Sequence, residues 1–223
     1  MKRFIGILPV FLILLAGCQK EEAPAVRPGT ATKTQASAVS YDPDAPIVYF
    51  ATEADYVAWT HINTLMKRFE ACEPPQKQLN AMTTEALAKS VMNYPLNYLT
   101  LFYENPQVAI DLIIENSSLH RAFLSRSDAG KVLVPLYAAA ELDMSLEKSN
   151  HDGDYGCLSY TNSMFLDYFI GSGRLPGLDD PSVRKQLIDA VEKKISYRES
   201  QPEIFSWYSI APLYDLREML AAR

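Results

Sequence analysis

Between residues 53 and 222 apolar side chains return every third or fourth position and almost never alternate, and 14 prolines cut the chain into short stretches. That spacing puts apolar groups on one stripe of a helix, whereas a strand needs a period of two. A proline inside a helix removes a hydrogen bond and crowds the preceding turn, so each one marks a start, an end or a bend. The pattern predicts an all-α fold: a single domain of about eight or nine short helices, arranged as a compact bundle or a short α-α superhelix. Only residues 47–50 have the character of a strand. At 223 residues, 48% of them hydrophobic, the chain is long enough to bury one sizeable core.

The local signals place the helices. Residues 53–72 carry Tyr56, Val57, Ile62, Leu65, Met66 and Phe69 on one stripe, ended by Pro74-Pro75. Thr83 caps a helix running to Asn93, with Glu85 against the positive end of its dipole. A short helix over 96–103 follows, and Asn105-Pro106 opens another over 107–115. Ser118 and Asp128 cap helices over 119–126 and 129–142, the second bent at Pro135. Residues 161–170 form a short apolar helix, and Gly171, Gly173, Pro176 and Gly177 form a loop. Asp179 or Asp180 then caps 181–200, with Val183, Leu187, Val191 and Ile195 inward and Lys193, Lys194 and Arg198 near its negative end. Helices over 202–209 and 212–222 close the chain. Proline-leucine pairs recur at Pro95, Pro135, Pro176 and Pro212, spaced by 40, 41 and 36 residues, near the period of paired-helix solenoids.

The first 18 residues read differently. Lys2 and Arg3 precede an apolar run over 4–16 interrupted by Pro9, which is too short to span a bilayer comfortably but suits a signal-peptide core. It ends in Leu15-Ala16-Gly17-Cys18, which resembles the lipobox of bacterial lipoproteins, where diacylglycerol is attached to the cysteine before cleavage. The resemblance implies that 1–18 is a signal peptide and that Cys18 is the lipidation site. Gln19-Lys20-Glu21-Glu22 resembles the short export signal of surface lipoproteins of the Bacteroidetes. That implies the outer membrane and the cell surface, the periplasmic face being the alternative. Acyl chains contribute about 0.8 kcal/mol per buried methylene, so two or more of them anchor a domain essentially permanently.

Residues 19–45 are rich in Ala, Thr, Ser and Pro, with no aromatic side chain before Tyr41, and cannot bury enough surface to order themselves. As a random coil they would reach about 30 Å. The expected organisation is therefore a leader over 1–18, a flexible tether over 19–45 and a helical domain over 46–223. The chain has 21 basic and 27 acidic residues, a net charge of −6. Without Lys2 and Arg3, 19 basic residues remain against 27 acidic, and the charge is −8. Such a balance argues against nucleic acid as a partner, because phosphate neutralisation dominates that binding. The partners expected are the membrane, through the anchor, and an unidentified protein or glycan.

Nucleophilic catalysis needs Cys or Ser beside a base. Cys157 follows a polar loop with His151 in it, and His120 or His61 could also serve as base. No Cys/His protease signature and no Gly-x-Ser-x-Gly elbow surrounds them. The same loop sets Asn150, Asp152 and Asp154 at positions 1, 3 and 5 of a calcium loop. Tyr155 stands where that loop needs glycine, however, and Thr161 where it needs a bidentate glutamate. Cys72 and Cys157 could pair, a link of about 4 kcal/mol on the loop-entropy view, or pack as two buried thiols. No Cys-x-x-Cys, phosphate loop or other cofactor motif is present, so no cofactor is expected. Among 13 Tyr and 2 Trp, Tyr98, Tyr103, Trp207 and Tyr208 are candidates for a binding surface, although aromatic residues at helical spacing also build cores.

Met82-Thr83-Thr84-Glu85-Ala86-Leu87, Asn93-Tyr94-Pro95-Leu96 and the run from Phe123 to Gly130 resemble a segment shared by helical exported proteins of gut Bacteroidetes. The likeness extends from Met82 to Tyr137 and departs at Asn116-Ser117-Ser118. It implies a helical fold and carries no catalytic role. The sequence thus points to a lipid-anchored binding or assembly module more than to an enzyme. The alternatives are a Cys/His hydrolase centred on Cys157 and a glycan-binding accessory lipoprotein, the latter favoured by any exposed platform of Tyr and Trp.

Overall fold

The structure, a computed structural model, describes residues 40–140, 156–203, 205 and 207–222, with the backbone alone over 156–161. Its elements are α1 (Glu53–Thr60), α2 (Leu65–Ala71), α3 (Gln76–Ala81), α4 (Thr84–Met92), a 3-10 helix (Pro95–Leu101), α5 (Pro106–Asn116), α6 (Ser118–Leu124), α7 (Ala129–Ala139), α8 (Gly156–Gly171), α9 (Pro181–Glu199) and α10 (Trp207–Ala221). The fold is all-α, and no strand occurs among the described residues. The compact unit runs Ser40–Arg223. Pro43 is already tied down there, its carbonyl accepting the Thr83 backbone N–H at 2.9 Å.

Capping explains most of the boundaries. The hydroxyl of Thr83 accepts from Ala86 N, Asn105 Oδ1 from Gln107 N, and Asp180 Oδ1 from Ser182 N, each meeting a donor the first helical turn leaves open. For α6 the cap is Ser117, one residue before the Ser118 expected. Asp128 precedes α7 without capping it, because its carboxylate accepts instead from Thr84 Oγ1 at 3.0 Å. Val183, Leu187, Val191 and Ile195 all point inward, as their spacing predicts.

Other expectations fail for identifiable reasons. The helix expected over 53–72 breaks into α1 and α2. Thr64 starts the second, and the Arg68 guanidinium reaches back to the Thr60 carbonyl at 2.9 Å and the Ile62 carbonyl at 3.0 Å, satisfying what the break leaves open. Val57 and Met66, expected on the buried stripe, are 43% and 51% exposed. Residues 47–50 form no strand, and the Ile47 N–H donates to Ser90 Oγ at 2.9 Å. Helix α3 has no counterpart in the expected set. The two helices expected at the end of the chain are one, with Pro212 inside α10. The proline withdraws a donor from the Tyr208 carbonyl, and the neighbouring Ser209 carbonyl accepts from Arg198 Nη1. The proline-leucine pairs occupy unlike places: the start of the 3-10 helix, the interiors of α7 and α10, and a loop. They therefore mark no structural repeat.

The packing closes into a circuit, from α4 to α7, α9, α10, α8, the 3-10 helix, α5, α6 and back to α4. A closed circuit is a bundle, not an open superhelix. Leu87, Ile113, Phe123, Leu133, Phe165 and Leu187, each from a different helix, are fully buried inside it.

A close approach lies at Gly130 of α7, whose N–H donates to the loop carbonyl of Pro176 at 2.8 Å. A Cβ on Gly130 would lie 2.5 Å from that carbonyl oxygen. The facing Gly177 has φ +85°, a conformation that side chains disfavour, so the loop is held in place from both sides. Gly130→Ala should therefore destabilise the fold by about 1–3 kcal/mol. Urea denaturation monitored by circular dichroism checks this, and an unchanged midpoint would show that the loop yields freely.

Candidate binding cleft

The last turn of α8, the start of α5 and the middle of α10 meet around an open cleft of about 220 Å³. The first turn of α5 contributes Asn105, Pro106 and Gln107. From α8 come Asp167, Tyr168 and Gly171, and from α10 Pro212, Asp215 and Leu216. Two contacts brace one wall: Gln107 Nε2 donates to Asp111 Oδ1 at 2.7 Å, and Arg174, just beyond α8, pairs with the same oxygen at 2.6 Å. A Cβ built on Gly171 meets nothing within 4 Å, so that wall is bare backbone.

Beneath the cleft lies a buried ionic cluster. Asp167 is fully buried, pairs with Arg198 Nη1 at 2.9 Å and accepts from the Tyr137 hydroxyl at 2.7 Å. Arg198 is 3% exposed and also donates to Ser163 Oγ at 3.1 Å and to the Ser209 carbonyl. Burial, and then the Asp167 charge, hold the Tyr137 phenol well above its ordinary range, so it serves as a hydrogen donor. The Lys194 ammonium lies 4.1 Å from the centre of the Tyr137 ring and is 2% exposed. Sequence reasoning placed Lys194 and Arg198 at the negative end of α9 and missed their burial. The available signal was Asp167, a lone carboxylate within the apolar run from Met164 to Ile170.

The aromatic candidates divide. Tyr98 and Tyr103 are half-buried against the core. Tyr98 meets the edges of Trp59 and Phe102 at 6.3 and 5.7 Å, and its hydroxyl accepts from Arg68 at 3.0 Å, so it is a structural side chain. Trp207 and Tyr208 are 66% and 82% exposed. Trp207 stacks on Tyr214 at 5.7 Å, and Arg217 lies 4.6 Å from the centre of the Tyr214 ring. Tyr208 sits one turn before Pro212 and two turns before Asp215, on the stripe of α10 that lines the cleft.

The other candidates fall elsewhere. His120 is buried in the core, and burial pushes its imidazole down to about 3, so it is neutral and shielded from solvent. That is the setting of a packing residue, not of a general base. His61 is exposed at the end of α1, its Nδ1 2.7 Å from the Val57 carbonyl. Cys72 is a free, buried thiol pushed up to about 12 by burial. Cys18, Asn150, His151, Asp152, Asp154 and the side chain of Cys157 lie outside the described residues. Among the described residues no group of three or more His, Cys, Asp or Glu could hold a metal ion, and no helix is long and apolar enough to cross a membrane. Comparison of the chain with protein-family models, curated proteins and solved structures finds no match.

Proposed function

We propose that this chain is a lipid-anchored binding module, held at the outer membrane through Cys18 and a tether, which takes its ligand in the cleft between α5, α8 and α10. One observation carries the reading: an open cleft with polar walls lies on the same stripe of α10 as the exposed Tyr208. Large exposed aromatic side chains beside a concavity give contact area at little cost in conformational entropy. The Leu15-Ala16-Gly17-Cys18 motif supports the anchor, and the acidic mature chain is repelled by an anionic lipid surface, which keeps the module off the leaflet.

Two measurements test the reading separately. Mass spectrometry of the native protein should find a diacylglyceryl thioether on Cys18, and an unmodified Cys18 removes the anchor. A ligand-detected NMR screen of small fragments against the native protein should give hits that disappear in Gly171→Phe. A Cβ there meets nothing within 4 Å, and the change should alter stability by no more than about 0.5 kcal/mol. Hits that persist undiminished in this variant would place binding elsewhere.

A further inference from the structure

We infer that the cleft selects an organic cation, an ammonium or guanidinium group on an apolar stem; this rests on the cleft being the binding site. The start of α5 would ordinarily favour an anion, but here its donors are spent or missing. Pro106 has no N–H, Gln107 N donates to Asn105 Oδ1 at 3.0 Å, and Val108 N donates to the Asn105 carbonyl at 3.0 Å. The Gln107 side-chain amide nitrogen gives one N–H to Asp111, which leaves its oxygen and its second N–H.

The opposite wall is electron-rich. Gly171 is the last residue of the 16-residue α8, so the negative end of that helix dipole lies at the cleft, with the Tyr168, Phe169 and Ile170 carbonyls already accepting from Ser172 N, Ser172 Oγ and Gly173 N. Asp215 is exposed and forms no ion pair among the described residues. The charge of Asp167 is already matched by Arg198, so Asp215 sets the sign of the site. The nearby cations are engaged elsewhere, Arg174 with Asp111 at 2.6 Å and Arg217 with Glu192 at 3.8 Å. Arg174 is thereby held, while the Arg217 contact is loose and solvent-exposed. Tyr208, on the same stripe of α10, offers a ring face to a positive group, while Pro106, Pro212 and Leu216 accommodate an apolar stem. A polyhydroxylated ligand needs donors as well as acceptors; the side-chain donors of this lining are the Asn105 amide nitrogen, one Gln107 N–H and the Tyr168 hydroxyl, so a saccharide is the competing ligand the test must separate.

The test uses four probes on the native protein, followed by ligand-detected NMR titration. Benzylammonium, benzyl alcohol and benzoate share one ring and differ in charge, and methyl α-glucoside stands for a saccharide. Benzylammonium should bind about tenfold tighter than benzyl alcohol or more, and benzoate not at all. Asp215→Asn should erase that preference, and molar salt should shrink it. If benzyl alcohol, benzoate or the glucoside binds as tightly as benzylammonium and is displaced by Gly171→Phe, the cation inference fails and the cleft stands. If no probe is sensitive to Gly171→Phe, both fail.

Discussion

Lowering the pH from 7 to 3 should cost the fold on the order of 5 kcal/mol through His120 alone. Its imidazole is fully buried, with ring centres of Tyr94, Phe165 and Phe169 at 4.8, 5.8 and 5.9 Å. Nδ1 meets Ser117 Oγ at 2.9 Å, and Nε2 has no hydrogen-bond partner. Burial, and then the Arg121 charge, lower its pKa from 6.5 to about 3. Between those values the unfolded chain binds a proton that the folded chain refuses, so stability rises with pH. The contribution is complete above pH 6.5 and is lost progressively down to about 3. Asp180 acts with the same sign but lower in pH, because Ser182 and Lys131 hold its exposed carboxyl well below the usual range.

Urea denaturation at a series of pH values measures the slope, and His120→Phe should flatten it between pH 6.5 and 4. The comparison uses slopes, so any packing cost of the variant drops out. In the wild-type protein the imidazole ¹³Cε1 resonance should hold its neutral position down to pH 4. A titration of that resonance near pH 6.5 would show that the ring reaches water, and the predicted loss would vanish with it.

The signals that proved legible are those in which a residue acts on its own helix. Thr83, Asn105 and Asp180 cap where their side-chain chemistry and the following apolar spacing say they should. The inward face of α9 is likewise fixed by four positions within one helix. What could not be read depends on partners distant in sequence. The α1–α2 break is stabilised by Arg68, whose side chain returns to α1 and also packs 5.1 Å from the centre of the Trp59 ring. Asp128 looks like a cap in sequence but is taken by Thr84, 44 positions away.

The cleft was illegible for the same reason. Asn105 caps α5 and Gln107 bonds Asp111 one turn on, both local roles, and only the tertiary meeting of α5 with α8 and α10 turns their side chains into a wall. Tyr208 was identifiable as a candidate, but its exposure was not, because Tyr98 shows similar spacing and is pinned in the core. The capping hydrogen bond of Asn105 also has a second effect. It uses up the donor that would otherwise have made this end of α5 attractive to an anion.

Breaking the Asp167–Arg198 pair should cost about 3–5 kcal/mol from either side, more than any cap or surface ion pair. The reason is the charge left behind. In Arg198→Met the Asp167 carboxylate stays fully buried with only the Tyr137 hydroxyl to stabilise it, and the Ser209 carbonyl next to Pro212 loses a donor. In Asp167→Leu the guanidinium is stranded instead. The double variant Asp167→Leu/Arg198→Met removes both charges and should recover most of the loss, since apolar residues of similar size replace buried pairs at little cost.

The two single variants therefore predict a coupling energy of several kcal/mol, read from urea midpoints across the double-mutant cycle. Additive effects, or single losses below about 1 kcal/mol, would mean that water reaches the cluster. Asp167 also lines the cleft, so the cycle bears on binding. Arg198→Met would turn a balanced floor into a negative one. If Asp215 sets the sign of the site, as inferred, that variant should bind benzylammonium more tightly than the wild-type protein, and the double variant should not.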